Sequence, residues 1–273
     1  MGWGLNDKMI LARKKRPSTN ERTDMATVND LKVPALIPQP LKHITTLVTG
    51  ASRGIGRAIA IKFATLGASV AICGRDEAAL DSVVTELEKL GVPSFSQTAD
   101  VTSARDVAGL VSNAENALGP ISVLVNNAGI GLFGPAHEKT EEDWDRVLNT
   151  NLKSVFLVSR SVAPSMIARG AGDIINISSL AGKNAFAGGG IYCASKWGLQ
   201  GLSACMAEDL RQYGIRVSTI CPGSVATEFG GSRPKDATKV LLPEDVAHAV
   251  TMIVMQGPQS FVSEIQLRPV RKP

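Results

Sequence analysis

The sequence predicts an α/β protein: one doubly wound, mostly parallel sheet of about seven strands, with helices on both faces. Three observations carry this. From about residue 41 onward, short β-rich apolar runs alternate with segments of helical length. The chain holds 26 glycines in 273 residues, as many tight strand-to-helix turns require. A glycine-rich turn, Thr49–Gly56, directly follows the first apolar run and opens a helical segment.

The elements follow in order. Residues 1–40 read as a disordered or extended leader, separate from the domain expected over residues 41–273. The leader holds a basic run, Arg13-Lys14-Lys15-Arg16, and then Pro34, Pro38 and Pro40, which prevent a helix. Met25 offers a second start, while an organellar or nuclear address or a polyanion-binding arm are the alternatives. Strands are expected at Ile44–Val48, Ser69–Cys73, Ser122–Val125, Asp173–Ile177, Arg216–Ile220 and Phe261–Leu267, with a weaker one near Pro93–Gln97. Helices fall between them at Gly54–Leu66, Glu77–Leu90, Ala104–Leu118 and Pro243–Met255. Thr140 with Asp143 three residues later predicts a capping box for a long helix running towards Met166.

Composition narrows the function classes. Apolar residues make up 44% and charged residues 20%, ordinary for a globular protein, and the net charge of +4 does not by itself ask for nucleic acid. Cys73, Cys193, Cys205 and Cys221 are widely spaced and contain no C-x-x-C pair, so they read as reduced, mostly buried thiols rather than disulfides or metal ligands. No apolar run approaches the roughly 18 residues of a membrane span. A cytoplasmic protein with no metal, membrane or nucleic-acid partner is expected.

In a doubly wound sheet, ligands bind beyond the carboxyl ends of the strands. The first such place is Gly50-Ala51-Ser52-Arg53-Gly54-Ile55-Gly56. Glycines permit a tight bend and close backbone approach, and the helix start offers free N–H groups to a pyrophosphate. The same stretch matches the G-x-S-x-G elbow of serine hydrolases, with His248 as a nominal partner of Ser52. On the first strand, however, that elbow has little preceding sheet to build an oxyanion hole. The nucleotide is chosen after the second strand, where an NAD site usually carries a carboxylate. Here Gly74 stands there, followed by Arg75, and Arg53 approaches from the glycine turn. Two guanidiniums suit the 2′-phosphate of NADP. Asp76, which lies about where a ribose-binding acid would fall, is expected instead to start the next helix.

The second half carries the chemistry. Tyr192 and Lys196 stand at i and i+4 on one helical face, just beyond the strand that ends in Ser178-Ser179 and a loop containing Gly188-Gly189-Gly190. Together with the glycine turn, Asp100, Asn126-Asn127-Ala128-Gly129, Asn151 and Pro222-Gly223-x-x-x-Thr227, in this order over residues 42–230, the chain resembles the short-chain dehydrogenase/reductase family. The resemblance extends to 3-oxoacyl acyl-carrier-protein reductases and broad-specificity carbonyl reductases. It implies a single Rossmann-type domain, NADP(H) and reduction of a carbonyl to an alcohol. By the same resemblance, Tyr192 is the general acid/base, Lys196 and the oxidised nicotinamide favour its phenolate, Lys196 also holds the nicotinamide ribose, and Ser179 hydrogen-bonds the substrate oxygen. Asn151 would support a water relay behind Lys196. Cofactor contacts would come from Gly50, Ser52, Arg53, Gly54, Ile55, Gly56, Arg75, Asp100, Val101, Asn127, Ala128, Gly129, Tyr192, Lys196, Pro222, Gly223, Val225 and Thr227. Ser178 is the neighbouring candidate for the catalytic serine, though strand alternation and spacing favour Ser179. Cys193 and Ser195 read as packing residues.

The pattern also departs from the family. The end, Phe261–Val270, lacks the Asp-Gly-Gly tail through which many members pack their subunits. A homodimer through the helices near 141–168 and 191–213 is expected, and a tetramer less so. The segment between Thr227 and Pro243, with Arg233, Lys235 and Lys239, reads as a solvated loop or as a guide for an acidic substrate. Leu132, Phe133, Phe186 and Phe229 line an apolar pocket or simply pack. Two other functions stay open: an alcohol or sugar dehydrogenase acting oxidatively, and a cofactor-binding protein without turnover.

Overall fold

Alternating β-branched runs and amphipathic helices fold as the sequence predicts. The structure, a computed structural model, describes residues 39–231 and 236–271. All but the last two residues of the expected leader, together with Arg233 and Lys235, lie outside the described residues. Seven strands form one sheet: β1 (Thr45–Thr49), β2 (Ser69–Gly74), β3 (Ser94–Thr98), β4 (Val123–Asn126), β5 (Gly172–Ile177), β6 (Ile215–Pro222) and β7 (Glu264–Leu267). Their order is β3-β2-β1-β4-β5-β6-β7, and every pairing is parallel. The chain crosses to β2 on one side of β1 and to β4 on the other. A crevice therefore opens above β1 and β4, where the connections diverge.

Seven α-helices cover the sheet: α1 (Gly54–Thr65), α2 (Glu77–Lys89), α3 (Ala104–Leu118), α4 (Glu141–Leu148), α5 (Ser154–Arg169), α6 (Gly190–Arg211) and α7 (Pro243–Val254). The period-2 alternation of a strand divides the core between two faces. Val48, Val70, Ile72, Val123 and Val125 pack under α1, α2 and α7. Their neighbours Leu47, Ala71, Cys73 and Leu124 pack under α3, α5 and α6. Among the described residues, no helix is long and apolar enough to cross a membrane.

Local chemistry fixes the helix starts. The side chains of Asp76, Ser103 and Thr140 accept hydrogen bonds from the N–H groups of Ala79, Asp106 and Asp143, capping α2, α3 and α4. Asp76 thus starts a helix, as expected. The long helix from Thr140 differs from expectation, because a π turn at Asn149–Lys153 separates α4 from α5. The last strand is also shorter than predicted. Its upstream carbonyls are taken by side chains: Ser260 O accepts from Arg216 Nη1 at 3.1 Å and Val262 O from Ser218 Oγ at 2.7 Å.

Two buried polar arrangements tie strands to one another and to helices. Asn126 on β4 donates to Asn176 Oδ1 on β5 (2.8 Å) and to Ser159 Oγ on α5 (3.0 Å), and Asn176 donates to Ser203 Oγ on α6 (2.8 Å). Arg216 on β6 grips Asp173 on β5 with two bonds, Nε–Oδ1 at 2.6 Å and Nη2–Oδ2 at 2.8 Å.

Candidate active site

At the end of β1 the chain must turn sharply into α1. Gly50 takes φ 63°, a left-handed conformation that suits glycine, and a Cβ there would stand 2.8 Å from Ala128 Cα. At Gly56 a Cβ would stand 2.4 Å from Gly50 O and 2.5 Å from Asn127 Nδ2. Asn127 closes the turn from β4, its amide donating to the Thr49 and Gly50 carbonyls at 3.0 Å each. The Thr49 hydroxyl accepts from the N–H groups of Asn127 (3.0 Å) and Ala128 (3.1 Å). The first turn of α1 carries no acidic residue, and Arg53 at its N-cap makes no side-chain cap. Such a turn leaves N–H groups and a positive helix end for an anion, so the residues present fit a pyrophosphate.

Arg53 is exposed and pairs loosely with Glu228 at 3.8 Å, a contact of little energy that a phosphate can displace. Arg75, also exposed, follows β2. Its charge and the Thr102 hydrogen bonds hold Asp100 below the usual carboxylate range, the Thr102 N–H being the largest cause. Asp100 Oδ1 accepts from Thr102 N at 2.9 Å and Thr102 Oγ1 at 2.8 Å, with Val101 buried between them. Ile55 and Gly129 are half-buried beside the same crevice ends, and Gly54 lies close to Thr227, where a Cβ would stand 3.3 Å from Cγ2. Pro222 ends β6, and Gly223, Val225 and Thr227 follow in a loop held by the Val225–Leu241 bridge. His248 sits exposed on α7, and the hydrolase alternative gains no partner for Ser52 from it.

Tyr192, Lys196 and Ser179 meet at the carboxyl end of β5. Ser179 hydrogen-bonds Tyr192, whereas buried Ser178 turns away and accepts from Gln200 Nε2 at 2.8 Å. Lys196 is buried, its ammonium donating to Ile177 O at 2.9 Å and lying 5.9 Å from the Tyr192 ring centre. Burial lowers its pKa to about 8. For the phenol, burial works against the pull towards phenolate expected of Lys196 and the oxidised nicotinamide. Burial pushes Tyr192 up to about 12, and the Ser179 hydrogen bond offsets only part of this. The cause is the cover over the ring: Tyr192 is 8% exposed, with Phe133 and Phe229 packed against it.

Asn151 is fully buried in the π turn, an irregularity that recurs at functional sites. It accepts from Ile130 N (2.8 Å) and donates to Ile130 O (2.9 Å) and Ser195 Oγ (3.1 Å). Asn151 therefore reaches the Tyr-Lys helix through Ser195, next to Lys196. Ser195 thus does more than fill space. Two further residues belong to this region. Thr49 fastens the two loop starts, and Gln200 bridges Ser178 to Cys221 Sγ, the latter at 3.0 Å. Gln200 continues the i, i+4 series of Tyr192 and Lys196, a signal the sequence contained. Lys239 pairs with Asp236 at 4.0 Å.

Comparison with known proteins agrees with this geometry. A family model described as short chain dehydrogenase matches residues 44–238. A sepiapterin reductase of Chlorobaculum tepidum is 36% identical over 237 residues, covering 84% of this chain and 97% of that protein. A 3-oxoacyl acyl-carrier-protein reductase of Staphylococcus aureus is 39% identical over 187 residues, covering 68% of this chain and 76% of that one. Among solved structures, a metagenomic short-chain oxidoreductase in complex with NADP matches with TM-score 0.77 and 42% identity, over 86% of this chain and 100% of the other.

Proposed function

The chain belongs to the short-chain dehydrogenase family of nicotinamide-dependent oxidoreductases, and from this premise we propose that it reduces a carbonyl to an alcohol with NADPH, Tyr192 delivering the proton. The observation that carries the proposal is the meeting of the Tyr192 and Ser179 hydroxyls beside the buried Lys196 ammonium, at the strand ends that also hold the glycine turn. The turn Gly50–Gly56 would hold the pyrophosphate, Arg53 and Arg75 the 2′-phosphate, and Asp100, Val101, Asn127, Ala128 and Gly129 the adenosine side. Lys196 and the Pro222, Gly223, Val225 and Thr227 segment would hold the nicotinamide half. When bound, NADPH supplies the hydride and its electron pair to the carbonyl carbon. Ser179 hydrogen-bonds the carbonyl oxygen, and Tyr192 Oη gives it a proton. Lys196, with Asn151 behind it through Ser195, returns a proton to Tyr192.

The same phenol serves either direction, donating its proton in reduction and accepting one as phenolate in oxidation. The test is NADPH oxidation against ketones, quinones, 3-oxoacyl thioesters and pterin-type carbonyls, and a folded enzyme that turns over none of them would falsify the reading.

Two expected results follow from the charges. With Lys196 near 8, kcat/KM for reduction should hold level through neutrality and decline above about pH 8 as the ammonium is lost. A profile flat to pH 10 counts against a role for that charge. Arg75→Ala should raise the Kd for NADPH about ten- to a hundredfold, the loss of one charge-assisted bond, and leave NADH within about twofold. Equal losses for the two cofactors would remove Arg75 from the 2′-phosphate site.

The finer partner and compartment readings are a homodimer in a cytoplasmic, reducing environment. All four cysteines are free. Phe156, 46% exposed, lines a groove with Leu148, Leu152, Gly198 and Leu202 between α4–α5 and α6, and Trp197 on α6 is 53% exposed. Sedimentation at micromolar concentration reads the stoichiometry, and a monomer would exclude the dimer.

A further inference from the structure

The chain is poor in aromatic residues, yet two of its seven phenylalanines pack against one tyrosine and a third packs against the first of them. They come from three separate loops, after β4, β5 and β6. Phe133 meets the Tyr192 ring edge-on, centres 5.5 Å apart at 73°, and Phe229 meets it at 5.7 Å and 57°. Phe186 extends the group, 6.1 Å from Phe133.

Glycines allow this approach. A Cβ at Gly131 would stand 2.7 Å from Phe229 Cε1 and 2.9 Å from Phe133 Cε2; at Gly230, 2.7 Å from Phe133 Cε2; at Gly189, 2.6 Å from Phe186 Cζ. The rings therefore lie directly on backbone, with no aliphatic side chain between. Gly134 N donates to Gly188 O at 2.8 Å, tying the Phe133 and Phe186 loops together. Each ring nonetheless stays 43–49% exposed, so its remaining surface faces solvent at the mouth of the site. Ordinary packing does not account for two half-exposed phenyl rings held against a buried tyrosine, with a third behind one of them.

We propose that the substrate is a planar, ring-conjugated carbonyl compound, held among Phe133, Phe186 and Phe229 with its oxygen at Tyr192. This rests on the reading of Tyr192 as the proton donor in carbonyl reduction. Tyr192 is 8% exposed with two phenyl rings against it, so a substrate approaching the phenol meets those rings. A flat π system stacks on the rings it meets, whereas a saturated ring or chain gains only the buried area.

The test compares 2-acetylnaphthalene with its saturated counterpart 2-acetyldecalin, using the full chain with NADPH. Intrinsic reactivity cancels when the ratio of the two kcat/KM values is compared between wild type and the Phe133→Leu/Phe229→Leu variant. Phe186→Leu, which does not touch Tyr192, serves as a milder second variant, and thermal melts establish that each is folded. The ratio should fall about tenfold in the double variant and less in the single one, and an unchanged ratio overturns the proposal. Binding of both ketones to the enzyme with NADP+, by calorimetry, separates the two readings. Without turnover, a tenfold preference for the naphthyl ketone that the double variant loses upholds the ring site and removes the reductase reading. Turnover without any preference upholds the reductase and removes the ring site.

Discussion

Tyr192→Phe is expected to lower kcat/KM for carbonyl reduction about a thousandfold or more, within the range general acid catalysis supplies, while the Kd for NADPH stays within about twofold. The substitution deletes one oxygen. The ring contacts with Phe133 and Phe229 depend on the ring and persist, so the loop cover should stay in place. The Ser179 hydroxyl loses its partner but remains anchored, because its Oγ accepts from Ala181 N at 3.1 Å. What disappears is the proton donor itself. Steady-state turnover and a fluorescence titration of NADPH read the two quantities apart. Retained turnover would displace Tyr192 from the mechanism, and lost cofactor binding would make its role structural.

The second large effect concerns stability. Arg216→Met should destabilise the fold by about 3–5 kcal/mol at pH 8, as breaking a buried ion pair from one side does. Asp173 is then left with a carboxylate whose side chain is only 11% exposed and which has lost two short bonds. Already in the wild type, burial holds this carboxyl above its ordinary range, outweighing the pull of Arg216. A carboxyl raised on folding takes up a proton as the chain folds, so its contribution falls as pH rises from the unfolded value through the folded one. Without Arg216 the rise grows. The deficit should therefore be smaller near pH 5 than at pH 8. Urea unfolding at both values reads this, as does a melting temperature lowered by about 6–15 °C. Adding Asp173→Asn should recover part of the loss. A loss under about 1 kcal/mol at pH 8 would mean that water reaches the carboxylate.

Much of this was readable from the chain. The strands reveal themselves because a parallel sheet covered on both faces buries every position, as in Thr45–Thr49, where all five residues are buried and the three threonines satisfy their hydroxyls on backbone carbonyls. The gathering of Tyr192, Lys196 and Ser179 follows from a helical spacing and a strand end. Other features depended on contacts between distant segments. The π turn exists where the Asn151 amide engages Ile130 and Ser195, and no local pattern announces it. The raised phenol pKa comes from loops that close over it, whereas a sequence displays only the nearby lysine. The three phenylalanines stand 53 and 43 residues apart along the chain, and only the fold shows that two of them meet one tyrosine and the third meets Phe133. The strand expected from Phe261 starts only at Glu264, the Val262 carbonyl before it accepting from the Ser218 hydroxyl.

The π turn has a geometric consequence for the helices on either side. Each residue advances an α-helix by about 100°. One wide turn at Asn149–Lys153 therefore rotates α4 about its axis relative to α5, as a phase offset in an otherwise continuous rod. It lets Val147 point inward on one side of the offset and Val155 on the other, with Asn151 aimed at Ile130 between them. Deleting a single residue in this stretch would restore even winding and turn the two halves out of phase. One half or the other would then present its polar side to the core.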